Sequence, residues 1–417
     1  MTTAHEMLFA ERSKRFNDAI RLQVPDRVPL FLFMHLFPAR YAGITYETAL
    51  YDLDKWLAAF EKAVVDFEPD LYAQPGAGIF TGGATHEALD NRQFKWPGHG
   101  VPPDVTFQFV EGEYMKAEEY DAFLDDPSDF TVRTYLPRIY GALQGLSMLP
   151  PLVAMTMGYA GAGLAGVLTA PPIAAAFEAL FKAAAAAAQW AGAYAAFDQK
   201  MNALGFPSFS GGVAIPPFDV FSDMLRGMRG TMLDMYRCPD KLLAAQEKVL
   251  PMLIQLAIGG CQMSGNPRVF IALHRGADGF MSLEQFETFY WPGLKALVLA
   301  LVGAGLTPCL FLEGHYDQRL KYLRELPTGK VLGLFDRTNL FEAKEVVGDV
   351  MCIAGNMPLS LLQIGTPEQV RAYTKKLIEV VGKDGGYIMS SNTVMDEAKP
   401  ELVRVWVDAT REYGVYG

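Results

Sequence analysis

The chain has 417 residues, more than one minimal domain of about 150 residues needs, although α/β barrels run longer as single units. Hydrophobic residues make up 51% and charged residues 20%, so a large core can be buried and wholesale disorder is excluded. A net charge of −11 without a basic run repels phosphate backbones and anionic lipid, which argues against nucleic acid and membrane as partners.

Residues 1–25 carry Glu6, Glu11, Arg12, Lys14 and Arg15 and no apolar leader run. They are expected to form a helical extension rather than a signal peptide. Val28–Phe33 follows the turn signal Pro25–Asp26 and is the first expected strand. Tyr46–Phe67 has Leu50, Leu53, Leu57 and Phe60 at helical spacing. Asp70–Gln74 is a second short strand. Residues 75–137 are rich in Gly, Pro and Asp and are expected to be an insertion, with a small hairpin around Phe107–Tyr114. Gly145–Phe177 has no charged residue and is long enough to cross a bilayer. Its Pro150–Pro151, Pro171–Pro172 and many small residues point instead to a buried strand at Pro151–Thr156, a Gly-rich loop and the start of an Ala-rich helix, Pro172–Leu204. Residues 206–230 are irregular and aromatic, and are either a surface loop or a lid over a pocket. Asp240–Met263 is a helix, and Val269–His274 a fourth strand. Strands five to eight are expected at Thr307–Leu312, Lys330–Phe335, Val350–Ala354 and Gly386–Ser390, with helices Trp291–Gly303, Asp317–Leu326, Leu340–Val347 and Thr366–Val381 between them and Lys399–Tyr413 last.

Eight strands alternating with helices predict a parallel α/β fold, as one domain over residues 1–417. The number of units favours a single (β/α)8 TIM-type barrel with insertions after strands 2 and 3. Gly161-Ala-Gly163-Leu-Ala-Gly166 matches a dinucleotide fingerprint in letters. It lacks the acidic residue expected about twenty residues on. Cys238, Cys261, Cys309 and Cys352 are widely spaced, as reduced thiols in a cytoplasm would be.

In such a barrel the active site lies at the C-terminal strand ends. Those ends carry His35, His274, Glu313, His315, Asp336, Asn356 and Asn392. Period-two geometry puts Cys309, Phe311 and Glu313 on one face of strand five, with Leu310 and Leu312 on the other. Gly314 then lets His315 turn toward the same centre. His274, Glu313 and His315 are thus candidate ligands of a divalent metal such as zinc. The bland alternatives pair His274 with Asp278 or Asp336, and Glu313 with Arg275 or Arg337. Glu313 and Asp336 are candidate catalytic acids, Asp336 being equally suited to a rim ion pair with Arg337. Arg40 could hold a substrate anion, and Phe218 and Phe221 could form an apolar gate.

Several segments resemble the uroporphyrinogen decarboxylase family. They are LFLEG at 310–314, the run from Val331 to Val370, DGGYIMSS at 384–391, MSLEQFETFYWPGLKAL after strand four and VPLFLFMHLFPARY at 28–41. The resemblance covers most of the chain, with extra length at about 75–135 and 185–265, and it implies an eight-stranded α/β barrel. It also implies one of two activities: cofactor-free decarboxylation of a porphyrinogen, or zinc-assisted methyl transfer between a corrinoid and a thiol. The decarboxylase branch needs arginines on the first-strand loop, where this chain offers Met34, His35, Phe37 and Arg40. The methyltransferase branch places His-x-Cys at the end of strand five and Cys after strand eight. Here Phe311 and Glu313 occupy the first two slots and the third falls near Thr393. A carboxylate–imidazole site suits a methyl group on oxygen or nitrogen better than a thiol acceptor. The resemblance therefore implies the substrate-side half of a cobalamin-dependent methyl transfer. A small methylated compound would be the donor. The corrinoid would arrive on a separate protein, because this chain has no D-x-H-x-x-G signature. A homo-oligomer is compatible with this reading. The alternatives are a lyase or decarboxylase acting on another acid, and a barrel that only binds a corrinoid or tetrapyrrole.

Overall fold

The protein is described from a computed structural model that covers residues 3–76, 82–156 and 160–417. Among these the strands are β1 (Phe31–Leu32), β2 (Leu71–Tyr72), β3 (Phe94–Pro97), β4 (Gly100–Val101), β5 (Gln108–Phe109), β6 (Gly212–Ala214), β7 (Arg268–Leu273), β8 (Thr307–Leu312), β9 (Leu332–Phe335), β10 (Cys352–Ala354) and β11 (Tyr387–Ile388). Strands β11-β10-β9-β8-β7-β6 form one sheet with parallel neighbours throughout. β1 and β2 form a second parallel pair. Parallel bridges tie that pair to both edges of the larger sheet, Leu30 to Met389 and Tyr72 to Ser208. Phe31 N–H donates to the Met389 carbonyl and Phe209 N–H to that of Tyr72, each at 2.9 Å. Helices between successive strands make this an α/β protein, as expected.

Two apolar layers follow the alternation of the strands. One cluster holds Phe31, Phe33, Leu71, Phe209, Cys309, Phe311, Leu334 and Ile388, with Phe270 and Ala272 against it. The other holds Ile271, Leu273, Leu310, Leu312 and Ile353 together with the flanking helices. Phe311 and Leu310 thus face opposite ways, as period two requires. The helix Ala4–Ile20 begins at a Thr3–Glu6 capping box. Its Phe16, Ala19 and Ile20 join the first cluster. Arg15 and Arg27 pair with Asp70, whose carboxylate also accepts the Leu30 N–H.

The third strand lies elsewhere than the sequence led us to expect. Leu152–Thr156 is a 3-10 helix, and the next parallel strand after β2 is β6, within the segment expected to be a loop or lid. The run at 151–156 looks strand-like in hydropathy, but Pro150–Pro151 opens it and no strand pairs with it. β6 was hidden by its glycines. A Cβ on Gly212 would sit 2.6 Å from the Ala257 carbonyl, and one on Gly211 2.1 Å from that of Asn266. These glycines let the helix Pro239–Ser264 lie directly on the strand. A single long stretch therefore separates β2 from β6. It contains the small sheet β4-β3-β5, a satellite cluster around Leu143, Leu146 and Ile173, and the helix Pro171–Ala203. The Gly161–Gly166 motif falls in the helix Ala160–Leu168, not in a strand-to-helix turn. By length and composition the helix Pro239–Ser264 suffices to cross a membrane. Its Leu242, Ala245, Val249, Leu253 and Ala257 form a buried stripe.

Candidate active site

Strand register assembles the centre of the site. β7 pairs with β8 up to Leu273 opposite Leu312, and β8 with β9 up to Leu312 opposite Phe335. One step further along each chain stand His274, Glu313 and Asp336. Each continues the face that carries Ala272, Phe311 and Leu334, so the three form a row at the C-terminal ends. His274 Nε2 lies 3.9 Å from Glu313 Oε1.

The row is buttressed by two residues that the sequence reading did not single out. Asp219 and Asp223 sit four residues apart in the helical turns Pro217–Asp219 and Val220–Leu225, so both carboxylates fall on one face. The spacing D-x-x-x-D after Pro216–Pro217 was a usable signal. Asp223 Oδ2 lies 2.5 Å from His274 Nδ1, and its Oδ1 accepts from Arg275 Nε at 3.1 Å. Asp219 is fully buried. It accepts the His274 N–H at 2.9 Å, the Arg275 N–H at 3.3 Å and the Tyr290 hydroxyl at 2.8 Å.

This arrangement sets the protonation of the row. Burial opposes a charged His274 ring, but the hydrogen bond to Asp223 and the fields of Glu313, Asp223 and Asp219 outweigh it and raise its pKa to about 9. Burial raises the Glu313 carboxyl above its ordinary value, with the His274 charge opposing. Burial, then the Asp223 charge, pushes Asp219 up as well. His274 is therefore an imidazolium at neutral pH, with Nδ1 held and Nε2 turned toward Glu313.

The other expected residues are placed as follows. Asp336 accepts the Gly314 N–H at 2.9 Å and the Asn392 amide at 2.6 Å. Arg337 stands 3.9 Å away and largely exposed, so Asp336 fixes the turn after β8. Asn356 donates to the carbonyls of Asp336 and Thr338. His35 pairs with Asp396 at 2.8 Å. Arg40 is exposed at the end of the helix Phe37–Ala42. Phe218 and Phe221 are core residues rather than a gate. Phe218 packs on Tyr290, and Phe221 on Tyr120 and Phe123. Their segment supplies β6 and the two aspartates, and both phenylalanines are buried beneath it.

The expected metal set is not assembled. His315 is exposed and its ring lies 3.2 Å from Asp317, because the turn at Gly314 (φ 83°) carries the chain outward. Among the described residues the trio whose ligand atoms lie within 4.8 Å of one another is Asp219, Asp223 and His274. Its carboxylates already accept from the N–H and O–H donors described above, and Nδ1 is engaged by Asp223. A cation there would have to displace those donors, so the trio fits a proton-holding cluster better than a metal cage.

Two cavities open at these strand ends. One, of about 590 Å³, has a mixed polar and apolar lining and reaches His315, Asp336, Arg337, Asn356, Tyr373 and Asn392. The other, of about 670 Å³, is mainly apolar and reaches Phe33, Phe270, Val213, Leu253 and His274. Asp198 and Tyr194 of the insertion helix complete its wall. Asp198 accepts from the Tyr72 hydroxyl at 2.9 Å. Burial raises its pKa to about 6, only partly offset by that bond.

The chain is similar to several known proteins. A methyltransferase from Methanosarcina mazei superposes with a TM-score of 0.62 at 14% identity, over 96% of this chain and 98% of that one. A B12-independent methionine synthase from Shewanella sp. W3-18-1, solved in complex with selenomethionine, overlaps 52% of this chain and 64% of its own, with a TM-score of 0.35 at 12% identity. A curated uroporphyrinogen decarboxylase from Pseudoalteromonas translucida (strain TAC 125) is 31% identical over 83 residues, 20% of this chain and 23% of that relative's length. The sequence profile of uroporphyrinogen decarboxylase (URO-D) matches residues 145–413, well over half the chain and the whole of the row from Asp219 to Asn392. The chain belongs to the uroporphyrinogen decarboxylase family.

Proposed function

We propose that this protein is the substrate-side enzyme of a methyl transfer. It would hold a small methylated compound at the mouth of a closed (β/α)8 barrel and pass the methyl group to a corrinoid carried by a separate protein. The bridges at both edges of the β1–β2 pair support closure. The observation that carries the function is the Asp223–His274–Glu313 row. A methyl group bound to oxygen or nitrogen leaves slowly unless the heteroatom is protonated as the bond breaks. An imidazolium whose Nδ1 is held by a buried carboxylate, and whose Nε2 faces an open cavity, is placed to donate that proton.

When bound, a reduced corrinoid supplies the nucleophile that takes the methyl carbon. The residues of this chain do the rest. Asp223 fixes the His274 tautomer and orientation. His274 Nε2 donates to the heteroatom, and Glu313 helps hold the charge on the ring before the proton leaves. Asp336 positions the β8 turn through Gly314. The apolar wall around Phe33 and Phe270 excludes water from the reacting pair. No step passes through a metal, in keeping with the donors that already surround the carboxylates. All four cysteines are free thiols, which supports a reducing, cytoplasmic setting.

The test follows cob(I)alamin loss and methylcobalamin appearance by absorbance with methoxylated, methylamine and methylthio compounds. At least one compound should transfer its methyl group. Glu313→Gln and His274→Gln should lower the rate about 100-fold or more, the range of general-acid catalysis, with unchanged circular dichroism. No transfer from any compound, with Glu313→Gln matching the parent in every assay, would abandon this reading for the lyase alternative.

A further inference from the structure

The cavity beside β6 has a composition that defines a ligand. Its walls are aromatic and aliphatic, with Phe33, Phe209, Phe270 and Tyr194 among them. Val213 and Leu256 at its edge are 67% and 63% exposed, which leaves apolar surface for a ligand to cover. The volume of about 670 Å³ falls in the range of sites for ring-sized molecules, roughly 300–1,000 Å³. A one-carbon amine or alcohol is little larger than a water molecule, whose share of liquid volume is about 30 Å³. It would leave most of that wall wet.

The polar groups narrow the choice. No lysine or arginine lines the cavity among the described residues. Its acidic side chain is Asp198, set on the insertion helix Pro171–Ala203. One oxygen takes the Tyr72 hydroxyl, and no other donor meets the carboxyl among the described residues. A ligand hydroxyl can donate to that carboxyl, whereas a ligand carboxylate set beside it meets like charge, because the cavity's cation is His274, which the methyl-transfer reading assigns to the methylated heteroatom.

We propose that this cavity is the substrate pocket for an uncharged aromatic methyl ether carrying a hydroxyl group, with Asp198 hydrogen-bonding the hydroxyl and excluding carboxylated analogues. The assignment rests on the methyl-transfer reading above for its placement of the methoxy group at His274. The insertion after β2 is then a specificity element, since it brings both Asp198 and Tyr194 to the pocket.

Calorimetric titration of the full chain with 2-methoxyphenol and 4-methoxybenzoate tests the pocket without requiring turnover. The phenol should bind at least tenfold tighter at neutral pH. Asp198→Asn should cut that preference at least threefold, mainly by admitting the benzoate. Val213→Trp alters an exposed side chain, and should weaken both aromatic ligands while circular dichroism stays unchanged. Equal binding of the two compounds by the parent, or binding unaffected by Val213→Trp, overturns the proposal. So does methyl transfer from methylamines by a protein that binds neither aromatic. Tight, Asp198-dependent phenol binding without any transfer to cob(I)alamin supports the pocket and overturns the methyl-transfer reading, so the two can fail separately.

Discussion

Replacing Asp223 by Asn keeps the shape of the side chain but removes the charge that holds the His274 ring. Burial disfavours the imidazolium, and the Asp223 bond with the surrounding carboxylates overcomes this to take the ring from 6.5 to about 9. That rise corresponds to on the order of 3 kcal/mol at ~1.4 kcal/mol per tenfold change. The ring is about one-third exposed, so solvent screening leaves roughly half of it. The folded value lies above the unfolded one. The stabilisation is therefore complete below pH 6.5 and is lost as pH rises toward about 9. Asp223→Asn should accordingly be destabilised against the parent by about 1–2 kcal/mol more near pH 6 than near pH 9.5. Asp219 acts in the same direction, because loss of the neighbouring charge lets it ionise more easily at high pH. Urea unfolding at the two pH values measures the difference, and an NMR titration of the His274 ring measures its cause. A parent ring that titrates near 6.5, or a variant ring still titrating near 9, would refute the reasoning.

Other perturbations have equally definite outcomes. Asp70→Ala leaves the Arg15 and Arg27 guanidiniums and the Leu30 N–H without their shared acceptor. It should cost about 3–5 kcal/mol in denaturant unfolding. Asn392→Ala removes a donor to Asp336 and the acceptor of the Leu359 N–H. It should cost about 1–3 kcal/mol, with activity falling as the β8 turn loosens. Uroporphyrinogen should not be converted to coproporphyrinogen, since His274 is the one cation beside Phe33 and Phe270 among the described lining residues, and burying each further substrate carboxylate without a partner would cost several kcal/mol. Coproporphyrinogen formed at a physiological rate, detected by fluorescence after oxidation, would contradict this.

The legible parts of this protein are those governed by short-range rules. β8 was expected at Thr307–Leu312 and is found there, because a β-rich apolar run between Gly305 and Glu313 leaves little choice. Its alternation placed Glu313 correctly, and the same rule placed His274 on the neighbouring strand. The less legible parts depend on tertiary contact. β6 is three residues long and glycine-rich, and it is a strand because a helix presses on it, which no local pattern records. His315 was misjudged because a glycine with positive φ permits either an inward or an outward turn. Asp219 and Asp223 were overlooked because their segment, 206–230, carries seven aromatic and proline residues, so it looked like a lid. Asp198 could not be found from sequence at all, since only the packing of the insertion helix brings it over Tyr72.

Single turnover with a deuterated methyl donor separates methyl transfer from the alternatives. Protein is mixed with cob(I)alamin and a CD3-labelled methoxyphenol, and the corrinoid product is weighed by mass spectrometry. We expect all three deuterons in the corrinoid-bound methyl group and a demethylated phenol in equal amount, with His274→Gln forming neither at a comparable rate. Unlabelled corrinoid, with the ether recovered intact or with carbon dioxide released from an acid substrate instead, would contradict the account.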